Sequence, residues 1–214
     1  AASAYDAVYG DLVVSFFSED GQVLTTDYVD GFPTSGAVQG NPAGPRGGRF
    51  GQGDDVGAHT SLAIDNMDRV HVAYHDIDAG TLKYAVLDNG EWSTSVVDSA
   101  GRTGLYTSIA VGDDGLPRIA YMMAEGNIDP DPQMQTALKY ARASVSTPSG
   151  PSDWTSSVVD SAPLMDAVCN GGCDPGSACV DLGNGPLCEP EQGGCIMCGD
   201  GQVCVNDAGG NPSC

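Results

Sequence analysis

The feature that most constrains this chain is an internal repeat in its first 165 residues. Ser61–Asp65, S-L-A-I-D, recurs 47 residues later as S-I-A-V-G. L-K-Y-A at residues 82–85 recurs 56 residues later, because the second copy holds nine extra residues within 125–136. V-V-D-S-A at residues 96–100 recurs letter for letter at residues 158–162. Two homologous units explain this order, and units of this length stack on their neighbours to bury a shared core.

A third and weaker unit precedes these two. Residues 3–32 align with residues 61–90 without a gap. In that alignment Leu12–Phe16 corresponds to Val70–Tyr74, and Asp30 corresponds to Asp88. The fourth segment of this unit would then be eroded, and we interpret the Gly/Pro-rich residues 33–53 as a long loop.

Each complete unit contains four strand-like runs separated by turn residues. In the second unit these runs are 61–65, 69–75, 81–87 and 93–98, and Asp-Asn-Gly at 88–90 indicates a tight hairpin. Four strands in about 45 residues is the period of a β-propeller blade. The sequence therefore predicts an all-β chain with three four-stranded blades, at approximately residues 3–53, 54–100 and 101–162.

The motifs of these units also resemble a known family. Secreted bacterial β-propeller repeats read approximately S-L-A-x-D, H-x-A-Y-x-D, L-K-Y-A, N-G-x-W and V-D-S, and this chain has all five pieces in order within residues 61–99. The resemblance covers residues 54–162 well and residues 3–32 loosely. It implies the blade fold but no particular activity, because propellers include lectins, hydrolases, scaffolds and adhesins.

Three blades are too few to close a propeller, which needs roughly four to eight. An open arc would expose apolar blade faces and a sheet edge. We therefore expect another polypeptide to complete the ring, either an upstream fragment of the same precursor or a second copy of this chain. The first blade is where we expect that partner to pack, and its third strand, residues 22–29, would offer an open edge.

The cysteines divide the chain into two parts. Residues 1–168 have none, and residues 169–214 contain all eight. An even number in so short a Gly/Pro-rich segment indicates a disulfide framework, which forms in oxidising compartments. We therefore predict a propeller part at 1–164, a cysteine-rich module at 165–214, and a secreted or cell-surface location. The first residues, A-A-S-A, are interpreted as an end produced by processing.

The spacing in the cysteine-rich module repeats once, as two units of four. Each unit resembles a truncated EGF-like domain. Neighbouring cysteines are poor partners in so short a loop, so first-to-third and second-to-fourth pairing is predicted in each unit. The predicted bridges are Cys169–Cys179, Cys173–Cys188, Cys195–Cys204 and Cys198–Cys214. Zinc or redox chemistry at the C-x-x-C of residues 195–198 is the alternative.

Charge and hydropathy exclude two classes of partner. The chain has 8 basic and 29 acidic residues, a net charge of −21, so the phosphate backbone of nucleic acids would repel it. No apolar run approaches the roughly 20 residues of a membrane-spanning helix, so no transmembrane segment is expected.

One loop-bearing face of the blades collects the candidate ligand residues. Loops after the fourth strand and between the second and third strands open on the same face, and they supply Asp54, Asp55, His59, Arg102 and Tyr106. Asp76-Ile77-Asp78 has carboxylates two residues apart, a spacing that favours Ca²⁺ as a candidate cofactor. The alternative is that both aspartates cap tight turns by accepting backbone N–H groups.

The remaining motifs do not indicate catalysis. His71 and His75 share a face of one strand, and Trp92 and Trp154 occupy equivalent positions; packing is the favoured role of all four. Nucleophile-elbow, zinc-protease and phosphate-loop motifs are missing from the sequence, so no catalytic residues are assigned. We expect an exported, non-enzymatic binding or assembly protein; the alternatives are a polysaccharide-active hydrolase or lyase and a carbohydrate-binding lectin.

Overall fold

The computed structural model of the chain is all-β, which confirms the predicted class. It describes residues 1–125 and 135–163, together with four short strands nearer the C-terminus. Within those residues there is no α-helix, and therefore none with the length and apolar character needed to cross a bilayer.

Three antiparallel sheets form the first compact unit, and each is a simple meander. The first sheet has three strands, β1 (Ala2–Asp6), β2 (Asp11–Phe17) and β3 (Val23–Asp30). The second has four strands, β4 (Val56–Ile64), β5 (Val70–Asp76), β6 (Thr81–Asp88) and β7 (Glu91–Asp98). The third has β8 (Arg102–Val111), β9 (Pro117–Glu125), β10 (Gln135–Ala143) and β11 (Trp154–Pro163).

The second compact unit lies mainly in the cysteine-rich part and contains two short hairpins. One joins β12 (Ser177–Asp181) to β13 (Pro186–Pro190), and its backbone register sets Cys179 opposite Cys188. The other joins β14 (Val205–Asn206) to β15 (Pro212–Ser213). The other six cysteines lie outside the described residues, so the predicted disulfide connectivity stays a prediction.

Residues 33–53 contain no strand, as the sequence predicts, and only a short 3₁₀ turn at Pro45–Gly48. The Arg46 side chain of this turn forms a buried ion pair with Asp11 and donates to the Gly51 carbonyl at 2.9 Å. A second 3₁₀ turn, at Pro151–Asp153, precedes β11. The long loop is therefore fastened to the first sheet through a buried, hydrogen-bonded guanidinium group.

Two apolar cores lie between successive sheets. Leu12 and Val14 of the first sheet pack with Val72 and Tyr74 of the second. Farther along the chain, side chains of the second and third sheets form the other core: Ala73, Leu82, Tyr84, Val86, Val97, Ile109, Ile119, Tyr121, Ala141, Ala143 and Trp154. The second sheet therefore gives one face to the first sheet and the other face to the third sheet.

Contacts between sheets show that the predicted alignment of the first unit is wrong. The Val56 amide donates to the Gly10 carbonyl at 2.9 Å, and one sheet later the Thr103 amide donates to the Gly80 carbonyl at 2.9 Å. Gly10 therefore corresponds to Gly80, and residues 12 and 82 come two positions after them.

Close approach of two glycines supports the same correspondence. A Cβ atom on Gly57 would lie 2.8 Å from the Cα of Leu12, and one on Gly104 would lie 2.9 Å from the Cα of Leu82. Both glycines also have positive φ, which side chains disfavour. Leu12 therefore matches Leu82, not Val70.

The corrected alignment changes which strand the first sheet lacks. Strands β1, β2 and β3 correspond to β5, β6 and β7, so the counterpart of the first strand, β4, is missing from the described residues of this sheet. The alignment from sequence was wrong because runs of Val and Leu in short strands match each other in more than one register. Strand β3 is therefore the outermost strand, as β7 is in the second sheet.

The first strands of the second and third sheets carry matching irregularities. In β4 the ladder shifts between Ala58 and Ser61, and in β8 it shifts between Leu105 and Ser108. Pairing across the shift in β4 also extends that strand back to Val56, so it begins earlier than predicted. Bulges of this kind change the direction in which the neighbouring side chains point.

Candidate functional site

The carboxylate of Asp98 is the centre of a polar contact between the second and third sheets. The Tyr121 hydroxyl donates to Asp98 Oδ2 at 2.6 Å, and Lys139 Nζ forms a buried ion pair with the same oxygen. Burial opposes ionisation of Asp98, but the hydrogen bonds from Lys139 and Tyr121 outweigh it and lower the pKa of this carboxyl. The negative charge of Asp98 is thus balanced by the positive charge of Lys139 on the next sheet. We call the contact region between two successive sheets a joint.

The same contact occurs between the first and second sheets. The Tyr74 hydroxyl donates to Asp30 Oδ2 at 2.7 Å, and Lys83 Nζ lies 2.5 Å from that oxygen. Asp30 therefore corresponds to Asp98, in agreement with the corrected alignment. An aspartate of one sheet is bound by a tyrosine and a lysine of the next sheet at both joints.

A third copy of the aspartate lies on the third sheet without those partners. Asp160 corresponds to Asp98, is exposed, and has no ion pair or hydrogen bond to the described part of the chain. The apolar residues around it are also uncovered. Val159 is 61% exposed, whereas its counterpart Val97 is 4% exposed. Leu138 is 43% exposed, whereas Leu82 is fully buried. We call this surface the outer face of the third sheet.

A shallow pocket on this outer face is lined by Tyr140, Arg142, Ala143, Ser144, Thr155 and Ser157. On the second sheet, the counterpart of Tyr140 is Tyr84, and its ring meets the Trp154 indole edge-on with centroids 5.3 Å apart. The counterpart of Ser157 is Ser95, which is buried on that sheet. The pocket on the third sheet therefore corresponds to the place on the second sheet where Trp154 packs.

The predicted calcium ligands are engaged with the protein backbone and with a lysine. Asp76 Oδ1 accepts the Ala79 amide at 2.8 Å, and Asp76 Oδ2 lies 3.8 Å from Lys83 Nζ. Asp78 Oδ2 accepts the Asp55 amide at 2.8 Å. The Asp76 contact matches the turn-capping alternative, whereas Asp78 binds the backbone of a segment 23 residues earlier. Among the described residues there is no cluster of three or more potential metal-ligating side chains. Calcium binding by these two aspartates stays the untested alternative.

The two aspartates before β4 have different surroundings. Asp54 is exposed. Asp55 Oδ1 accepts a hydrogen bond from the Tyr5 hydroxyl at 2.7 Å, and chiefly this bond raises the pKa of Tyr5 to about 12. Asp55 thus ties the first sheet to the second.

The predicted ligand residues His59 and Tyr106 come together at the bulges of β4 and β8. Their ring centroids lie 4.6 Å apart, and both have positive φ, 52° and 51°. Burial and, to a smaller extent, the nearby Arg102 charge lower the pKa of His59. Tyr106 is 69% exposed, so this pair presents a small aromatic surface.

Both histidines of β5 have packing roles. His71 Nδ1 lies 2.6 Å from the Tyr84 hydroxyl and its Nε2 lies 3.2 Å from Asp65 Oδ2. His75 Nδ1 donates to the Thr103 carbonyl at 2.6 Å, while its buried Nε2 has no partner among the described residues. Burial lowers the pKa of both side chains. Each is therefore held neutral inside the sheet stack.

The two tryptophans are packed rather than displayed. Trp154 is 8% exposed, and Trp92 is half-buried with its indole N–H donating to Asp27 Oδ2 of the first sheet at 2.9 Å. Aromatic residues that bind sugars must be exposed, so this geometry weakens the lectin alternative for these residues.

Among the carboxyl groups of the described residues, burial raises the pKa of Asp11. Glycoside cleavage needs two carboxyl groups facing one cleft. Asp11 is fully buried and paired with Arg46, so it does not fit the role of an acid in such a pair.

Sequence reasoning did not select the joint residues Asp98, Tyr121 and Lys139. A signal for them was nevertheless available, because V-D-S, A-Y and L-K-Y-A are the most faithfully repeated pieces of the chain. Comparison with protein-family models, with curated proteins and with solved structures found no match to this chain.

Proposed function

We propose that this chain is an exported, non-enzymatic assembly protein whose three sheets are units of a larger β-propeller. Another polypeptide completes the ring. The stacking of meander sheets through a repeated contact supports this proposal, since each unit buries its faces only against neighbours.

The observation that carries the proposal is the uncovered outer face of the third sheet. Leu138, Val159 and Asp160 repeat the residues that the second sheet buries at its joint. A face built for burial and left in water is typical of an interaction surface. The contacts between the described sheets support a partner that offers Tyr and Lys side chains to Asp160 and a Trp to the pocket beside Tyr140.

The cysteine-rich module fits the same setting. Its eight cysteines are appropriate to an oxidising compartment outside the cytoplasm. The Lys and Arg residues all lie before residue 143, so the module is wholly acidic. We propose that it serves as a disulfide-linked spacer or docking element.

Sedimentation velocity of the purified full chain over a hundredfold concentration range tests the proposal. We expect a species heavier than the 21.8 kDa monomer, formed by self-association or with a co-purifying polypeptide. Val159→Asp should abolish that species, because it places a charge in the joint. Met67→Asp is the matched control, since Met67 is also an exposed apolar residue, at 69% against 61% for Val159, but lies in a turn away from the outer face.

A monodisperse monomer with nothing bound would contradict the proposal. So would an assembly that Val159→Asp leaves intact, because the outer face would then play no part in it.

A further inference from the structure

The free edge of the first sheet lies on β1, where the other two sheets have a further strand. Strand β5 is paired with β4 and β9 is paired with β8, but within the described residues β1, their counterpart, is paired only with β2. The residues of β1 are A-S-A-Y-D, small or polar and partly exposed. Unpaired N–H and C=O groups along such an edge can accept another strand.

Hydrogen bonds between the first strands of the other two sheets provide an independent observation. The Thr107 hydroxyl of β8 donates to the His59 carbonyl of β4 and lies 3.2 Å from the Ala73 carbonyl. The Ile109 amide donates to Ser61 Oγ at 3.1 Å. Adjacent first strands are therefore joined by a threonine hydroxyl and a serine hydroxyl.

The counterpart of Thr107 on β4 is Thr60, 47 positions earlier. The Oγ1 atom of Thr60 is buried and has no hydrogen-bond partner among the described residues. The carbonyl that Thr60 would bind, equivalent to that of His59, belongs to the strand that is missing next to β1. One missing element thus accounts for both the open edge and the unpaired hydroxyl, and buried polar atoms rarely stay unpaired.

We infer that the edge of β1 binds an extended strand that carries the first-strand pattern Thr-Ser-Leu/Ile-Ala of this repeat. This inference rests on the proposed function and names the chemistry of the completing partner at the first sheet. The donated strand runs antiparallel to β1, as β4 does to β5. Its backbone carbonyl accepts from Thr60, and its serine hydroxyl accepts from the Leu62 amide, as Ser61 does from Ile109.

The register of the donated strand follows from the corrected alignment. Ser61 pairs with Ala73 in the second sheet, and Ala73 corresponds to Ser3 of β1. The serine of the donated strand should therefore lie opposite Ser3, and the residue three positions before it opposite Tyr5, as Ala58 lies opposite His75.

A synthetic peptide with the sequence of residues 102–112, R-T-G-L-Y-T-S-I-A-V-G, is the probe. We expect saturable binding to the full chain by fluorescence anisotropy. In hydrogen-exchange mass spectrometry, the amides of β1 should gain protection while those of β3 stay unchanged. A peptide of scrambled sequence and one with alternate backbone amides N-methylated should both bind at least about tenfold more weakly, since N-methylation removes ladder donors.

Two matched threonine variants test the role of the unpaired hydroxyl. Thr60→Val should leave the melting temperature of the free protein unchanged or slightly higher, yet weaken peptide binding about tenfold. Thr107→Val removes a hydroxyl that is already bonded, so it should lower the melting temperature and leave peptide binding unchanged.

Absence of saturable binding would overturn the inference. Protection on β3 or on β11 instead of β1 would also overturn it, because the strand would then add to a different edge. If the peptide fails while Val159→Asp still abolishes assembly, the strand inference alone is wrong. If the peptide binds to β1 in a chain that never assembles through its outer face, the proposed function is wrong.

Discussion

The Tyr121 hydroxyl and the Asp98 carboxylate are joined by a 2.6 Å hydrogen bond that crosses from the third sheet to the second. Its counterpart, from Tyr74 to Asp30, measures 2.7 Å and crosses from the second sheet to the first. Because the two joints share this contact and the lysine beside it, their energetics should be alike.

Substitutions at Asp98 should destabilise the sheet stack more than substitutions at Tyr121. Tyr121→Phe should lower the free energy of unfolding by about 1.5–3 kcal/mol, the usual value of a hydrogen bond to a charged group. Asp98→Asn leaves the Lys139 ammonium buried without its counter-charge, which costs about 3–5 kcal/mol. Urea denaturation of both variants checks these values.

Asp160→Asn is the control for Asp98→Asn, because the two aspartates are counterparts and only one is bound. For the unassembled chain we expect a change within about 0.5 kcal/mol, as for other exposed side chains. Equal losses at the two positions would mean that the joint contact carries little of the stability.

The stability of the fold should decrease as the pH falls from 7 toward 5, in part through His75. Burial, the chief cause, and the nearby Arg102 and His59 hold the pKa of His75 below its ordinary value of 6.5, although Thr103 and Asp76 oppose the shift. The unfolded chain therefore binds the proton more readily. The contribution of His75 is fully present above about pH 6.5 and is lost as the pH falls through the lower pKa of the folded state.

His75→Gln tests this linkage. It should reduce the loss of unfolding free energy between pH 7 and pH 5, measured by urea denaturation at each pH. A loss identical to that of the unmodified protein would show that the pKa of His75 is the same in the folded and unfolded states.

Calcium should leave the melting temperature unchanged, with or without chelator. One carboxyl oxygen of Asp76 accepts the Ala79 amide and the other lies 3.8 Å from the Lys83 ammonium, and a cation beside the ligand disfavours Ca²⁺. A calcium site in the presence of free Ca²⁺ at 100 times its dissociation constant would instead add about 2.7 kcal/mol to the free energy of unfolding. A chelator-sensitive melting curve that becomes insensitive in Asp78→Asn would restore the calcium interpretation.

Peptide mapping without reduction should recover four disulfides, two in each four-cysteine unit, paired first to third and second to fourth. The first unit should give Cys169–Cys179 and Cys173–Cys188. The backbones of Cys179 and Cys188 lie opposite each other in their hairpin, so a bridge between these two is the result that would contradict the pairing. A bridge between the two units would contradict it as well.

The sequence alone determined the fold class, the number of strands in the second and third units, and the loop at residues 33–53. Turn residues and the alternation of Val, Ile and Tyr act locally, and a repeat shows its own boundaries by self-comparison. It also singled out His59 and Tyr106 as equivalent positions, which the structure brings to a ring distance of 4.6 Å.

Only the tertiary structure decided which strand the first sheet lacks. Leu12 fits the pattern of Val70 as well as that of Leu82, because both are apolar residues in short strands, and the choice depends on the close approach of Gly57 to the Leu12 backbone. The hydrogen bonds and ion pairs between sheets could not be predicted from the sequence either, since the Asp98 carboxylate contacts Tyr121 and Lys139 from other strands. Contacts of this kind depend on how sheets stack, and the spacing of residues along one strand does not encode that stacking.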